Sequence, residues 1–157
     1  MDLAKYRAIF IEESTEHFAE MSQALLALEK DPASEEAIDV VFRMAHSVKG
    51  MAASLGYDPI EELAHKLEDR VQVARERGRL APGGELSLLF RGLTRLEAMV
   101  AEVGGGVDPT PAEPGLLAEL AAAELAPAEA APGEVAPAES APVAVAPAVR
   151  PPPTVER

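Results

Sequence analysis

Apolar residues recur at steps of three and four through residues 1–103, and nowhere does the chain show the two-residue alternation of a half-buried strand. A chain patterned this way buries its apolar surface by packing helical stripes against one another. Leu3, Tyr6, Phe10, Phe18, Met21, Leu25 and Leu28 form the first stripe, with Glu12, Glu13, Glu16 and Glu20 between them, until Asp31-Pro32 interrupts. Ser34 can cap a second helix whose first turn holds Glu35 and Glu36. Its face is Ile38, Val41, Phe42, Ala45, Val48, Ala52 and Leu55, and Gly56 ends it. Asp58-Pro59-Ile60-Glu61 reads as an N-cap, a proline at the first helical position and a carboxylate at the third. The helix it opens buries Ile60, Leu63, Ala64, Leu67, Val71 and Ala74 and stops at Gly78. After Pro82-Gly83-Gly84, a fourth stripe runs through Leu86, Leu89, Leu93, Leu96, Val100 and Val103. The expected fold is all-α, an antiparallel up-down four-helix bundle over residues 1–103.

Composition changes at Gly104-Gly105-Gly106. Of 14 prolines, only Pro32, Pro59 and Pro82 precede that point, and all six aromatic residues do. Residues 104–126 read as a Gly/Pro-broken connector, with one short helix expected over 115–125, where Leu116, Leu117 and Leu120 give a small stripe that could dock on the bundle. In residues 127–157 a proline falls at every fifth position from Pro127 to Pro147, within units such as Ala-Pro-Ala-Glu. That composition predicts a disordered, semi-rigid Ala/Pro/Glu linker.

The net charge of −13 argues against binding to nucleic acid or to an anionic membrane surface, which leaves proteins and small molecules as partners. Absence of cysteine removes disulfides, thiolate catalysis and zinc–thiolate sites, and it fits a cytoplasmic protein. No apolar run reaches membrane-spanning length and no signal peptide is read at the start. Three scattered histidines offer no zinc-ligand spacing, so no metal site is expected.

The chemistry concentrates on the second and third helices. His46 falls about 120° from the centre of the second helix's apolar face, at its boundary or outside it. Gly50 and Ala53 follow one and two turns on, leaving little side chain above the imidazole. A glycine within an exposed helix costs about 1 kcal/mol relative to alanine, so Gly50 either relieves crowding between helices or lets something approach the backbone. Lys49 would bring an ammonium to the same side. On the third helix, His65 and Glu68 share a flank of the apolar stripe that can face His46 if the two helices are antiparallel neighbours. A carboxylate accepting a hydrogen bond from one imidazole nitrogen fixes the tautomer and leaves the other nitrogen as a nucleophile. Glu68 is the candidate for that role, and Lys49 can offset charge on the oxygens of a phosphoryl group under attack.

The string from Phe42 to Gly50, followed by Gly56, reads His-Ser-x-Lys-Gly-x-x-x-x-x-Gly from His46 onward. It resembles the motif of histidine phosphotransfer (HPt) domains, particularly the N-terminal domain of CheA-type chemotaxis histidine kinases, whose subclass the His65-x-x-Glu68 pair also matches. The resemblance implies that His46 is phosphorylated from ATP by a kinase's ATP-binding domain, in cis or in trans, and passes the phosphoryl group to an aspartate of response-regulator receiver domains. It implies that Glu68 hydrogen-bonds the imidazole, that Lys49 and His65 complete the local network, and that ATP and magnesium are handled by the partner kinase rather than bound by this chain. The chain is then a phosphoryl carrier rather than an enzyme, monomeric by expectation, and either a fragment of a kinase or free-standing. A shuttle between receiver domains and an unphosphorylated helical adaptor are the alternative readings.

Overall fold

The computed structural model describes residues 3–125, and the linker expected at 127–157 lies outside them. Five helices follow one another: α1 (Leu3–Lys30), α2 (Glu35–Leu55), α3 (Asp58–Arg77), α4 (Glu85–Gly104) and α5 (Pro114–Leu125). No strand occurs among the described residues, and no helix there is long and apolar enough to cross a membrane. The first four helices pack in a ring, α1 on α2, α2 on α3, α3 on α4 and α4 on α1. Cross-helix pairs such as Asp39 with Arg75 and His46 with Glu68 step in opposite directions along α2 and α3, so neighbours run antiparallel. The expected bundle is present.

Local chemistry sets the boundaries. Ser34 Oγ accepts the Ala37 backbone N–H at 3.2 Å and so caps α2. Gly56 stops α2 in the left-handed region at φ 80°, leaving a single residue, Tyr57, before α3. The cap of α3 is Tyr57 rather than Asp58: its carbonyl accepts from Ile60 N and Glu61 N at 3.1 and 3.0 Å, while its ring centroid lies 5.2 Å from that of Phe10. So short a turn draws Asp58 into the helix, where its carboxylate still meets the positive end of the dipole.

The predicted faces of α2, α3 and α4 line the core, with Phe42, Leu55 and Leu86 partly buried at its edges. Helix α1 departs from expectation at its start, since Leu3 and Tyr6 are exposed at 67% and 45%. At about 1.5 Å per residue, the 28 residues of α1 outreach the 21 of α2 by roughly two turns. The stripe therefore continues past the point where the neighbouring helices supply a surface. Helix α5 docks through fully buried Leu120, with Leu116 and Leu117 packed against the core, and the side chains of Arg70 and Arg91 bond to the Glu119 carbonyl and carboxylate. The compact unit runs through Ala121, and Ala122 to Leu125 complete the helix.

Two glycines inside helices stand in opposite situations. A Cβ on Gly92 in α4 would lie 2.7 Å from a methyl of Leu67, itself fully buried, so the α3–α4 approach depends on a missing side chain. A Cβ on Gly50 would meet nothing within 4 Å. Gly92→Ala is expected to lower unfolding free energy by about 1 kcal/mol in urea denaturation, overpacking outweighing the gain in helix propensity. Equal or higher stability would contradict that close approach.

Candidate functional site

Three polar side chains are buried among the described residues, and they differ in what they do. Ser14 sits on α1; Glu85 accepts the Ala81 backbone N–H at 3.2 Å and pairs with Arg77 at 3.3 Å, tying the α3–α4 connection together. Glu68 alone reaches an exposed histidine. Its Oε2 lies 2.5 Å from His46 Nδ1, and its Oε1 accepts from Lys49 Nζ at 2.5 Å. The carboxylate's side chain is 10% exposed while the imidazole's is 63% exposed, so the acceptor is sheltered and the ring open to solvent.

This arrangement follows from the register of two helices. His46 and Lys49 are three residues apart on α2 and lean to the same side, and antiparallel packing sets Glu68 of α3 between them. Burial pushes the Glu68 carboxyl up, but the hydrogen bonds from Lys49 and His46 and the charges of both outweigh it, holding the group below the usual carboxylate range. Glu68 is therefore ionised at neutral pH, and an ionised carboxylate only accepts. In its neutral form His46 therefore carries its proton on Nδ1, and the lone pair on Nε2 is the nucleophilic one.

The surface onward from His46 is bare. Gly50 and Ala53 are exposed, and since no neighbour crowds Gly50, packing among the described residues does not account for the glycine. Helical side chains lean toward the N-terminus, so a larger residue at position 50 would lie over His46.

A sequence model of the Hpt domain family matches residues 5–106. The chain belongs to that family. Among relatives of this Hpt domain, the chemotaxis protein CheA of Bacillus subtilis is 38% identical over 108 residues, 69% of this chain and 16% of that protein. CheA of Halobacterium salinarum is 35% identical over 98 residues, 62% of the chain and 15% of its own length. The chain thus spans about one-sixth of the length of these relatives. The CheA phosphotransferase domain from Thermotoga maritima superposes with a TM-score of 0.61 at 30% identity, covering 66% of this chain and 98% of that one. The phosphorylated P1 domain of CheA3 from R. sphaeroides, solved in complex with CheY6, shares the fold with a TM-score of 0.67 at 22% identity, covering 77% and 96%.

Of the residues singled out in the Hpt domain's sequence, His46, Lys49 and Glu68 come together as one cluster. His65 stands beside it without a hydrogen bond to His46 or Glu68; its Nε2 lies 3.4 Å from Asp69 Oδ2, one turn along the same exposed flank. His65, Glu68 and Asp69 place one ligand atom each within 4.8 Å of one another and could hold a divalent cation. Such an ion would compete for Glu68 with His46 and Lys49. Sequence reasoning left Asp69 and Arg75 out and assigned Phe42 to the core alone; the step of four between Phe42 and His46 was the available signal.

Because the folded-state pKa of Glu68 is depressed, its ionised form contributes stability above the unfolded value of about 4.3, and that contribution is lost as pH falls through the folded value. Urea denaturation of wild type and Glu68→Gln should show a stability difference at about pH 5.5 that shrinks below about pH 4. A difference unchanged at pH 3 would show that the ion contacts contribute nothing.

Proposed function

We propose that this Hpt domain is a phosphohistidine carrier of chemotaxis-type two-component signalling, with His46 the phosphorylated residue. The observation that carries the reading is the Nδ1 contact of an exposed His46 to a buried, ionised Glu68, which in the neutral ring puts the lone pair on Nε2. Nε2 attacks the γ-phosphorus of ATP held by a histidine kinase's ATP-binding domain; the Nε2–P bond forms as the bond to the ADP oxygen breaks. Positive charge developing on the ring is met by the Glu68 carboxylate, and Lys49, bonded to the same carboxylate, is the cation assigned to the phosphoryl oxygens. In the second transfer an aspartate oxygen of a response-regulator receiver domain attacks the same phosphorus, and the N–P bond breaks. The imidazole is a good leaving group there because Nδ1 keeps its proton and Glu68 stabilises the ring.

On this reading the chain is a substrate and donor rather than an ATP-using enzyme, works as a monomer in the cytoplasm, and meets its kinase domain in cis or in trans. ATP and magnesium are bound by that partner. Membership of the Hpt family and the likeness to CheA proteins support it.

The direct test mixes the chain with a CheA-type kinase core and labelled ATP. Acid-labile label should appear on the wild type, be absent from His46→Gln, and discharge onto a receiver domain; label that survives in His46→Gln contradicts the assignment. Glu68→Gln should accept phosphoryl about 10- to 100-fold more slowly, as expected for loss of the group orienting a reactive imidazole. Gly50→Leu separates chemistry from folding. It should raise thermal stability slightly through helix propensity while strongly slowing transfer from the kinase, and an unchanged transfer rate would remove position 50 from the docking surface.

A further inference from the structure

One hydrogen bond does not fix an imidazole. The Nδ1 contact to Glu68 pins a point on the ring, but the χ2 torsion of histidine is broad, and rotation about it swings the in-plane lone pair of Nε2. A second constraint is present one turn earlier on α2. The Phe42 ring lies with its centroid 6.4 Å from that of the His46 imidazole and its plane only 13° from parallel. That falls in the offset-stacked range for aromatic pairs. Because helical side chains lean toward the N-terminus, the imidazole of His46 settles over the turn that carries Phe42.

Phe42 is itself held. From below it packs against the core, and the Arg75 guanidinium carbon of α3 sits 4.3 Å from its ring centroid, within cation–π distance. Arg75 is anchored on two sides, by Asp39 Oδ1 at 3.5 Å and by Gln72 Oε1, to which its Nη1 donates at 3.2 Å. The other Asp39 oxygen accepts from Arg43 Nε at 2.7 Å. A run of contacts therefore links the α2–α3 pairing at Asp39 and Arg75 to the plane of the ring at His46. Toward the other side, Gly50 is exposed and a Cβ there would meet nothing within 4 Å among the described residues.

We propose that Phe42, clamped by Arg75, is a positioning residue for phosphoryl transfer: its ring fixes the plane of the His46 imidazole, and with it the line along which Nε2 attacks. The inference rests on His46 being the phosphoryl acceptor. It differs from a docking role in that the effect travels with the histidine and not with the donor.

The test uses two donors on the full chain. One is a CheA-type kinase core with ATP; the other is phosphoramidate, too small to sense any docking surface, which transfers its phosphoryl group as the Nε2–P bond forms, the P–N bond breaks and ammonia leaves. Phe42→Leu should slow both reactions by the same factor, about 3- to 10-fold, and Phe42→Tyr should restore both. Arg75→Gln, which leaves the core untouched, should slow both by about 2-fold. In the imidazole ¹⁵N spectrum, Phe42→Leu should keep the single Nδ1–H tautomer, since Glu68 is untouched, which separates loss of ring orientation from loss of the hydrogen bond. Phosphoramidate reactivity of Phe42→Leu and Arg75→Gln at the wild-type rate would overturn the proposal, as would failure of tyrosine to restore it. A wild-type chain that takes phosphoryl from neither donor would overturn the reading of His46 instead.

Discussion

The ion contacts of Glu68 are what the site depends on. A carboxylate at 10% exposure is costly to bury, and it stays ionised there only because Lys49 and His46, both on the neighbouring helix, donate to its two oxygens. The same three residues fix the chemistry of the imidazole. Moving α3 by one residue against α2 would turn Glu68 about 100° away, leaving a buried charge without partners and a histidine without a defined tautomer. The register that prevents this is set at both ends of the helix pair. At one end Gly56 and Tyr57 make the shortest of the connections between helices, and at the other Arg75 pairs with Asp39.

Most of the bundle was legible in the sequence because its signals are local. Ser34, Gly56 and Gly78 act through their own backbone conformation or their own side chain, so the ends of α2 and α3 fall where the cap and breaker residues stand. The stripes of α2, α3 and α4 fall on the core because periodicity reports which face is apolar. Periodicity does not report how far a neighbour extends, which is why Leu3 and Tyr6 read as core and are exposed. Gly92 could not be read as a close-contact glycine either, since its partner Leu67 lies on another helix and no local pattern joins them.

The candidate site divides along the same line. His46, Lys49 and Gly50 are sequence neighbours on one helix, and their shared side follows from helical geometry. Glu68 was accessible through the i, i+3 step from His65 and the assumption of antiparallel packing. Within the pair, Glu68 turns in to His46 and Lys49, whereas His65 turns along its own helix to Asp69. Phe42 and Arg75 escaped because each looks ordinary by itself, an edge-of-core aromatic and a surface arginine, and only their stacking beside His46 gives them another meaning.

The histidine that results is walled on one side and bare on the other, with its inner nitrogen bonded to a carboxylate and its outer nitrogen free. Among the described residues, the exposed Gly50 and Ala53 mark the open approach to the ring. Which ring nitrogen reacts is decided by the Glu68 contact. Phosphorylating the chain and locating the phosphorus by ³¹P–¹⁵N correlation should give a single species, His46 bonded to phosphorus at Nε2 with Nδ1 still protonated; phosphorus at Nδ1, or on a residue other than His46, would contradict it.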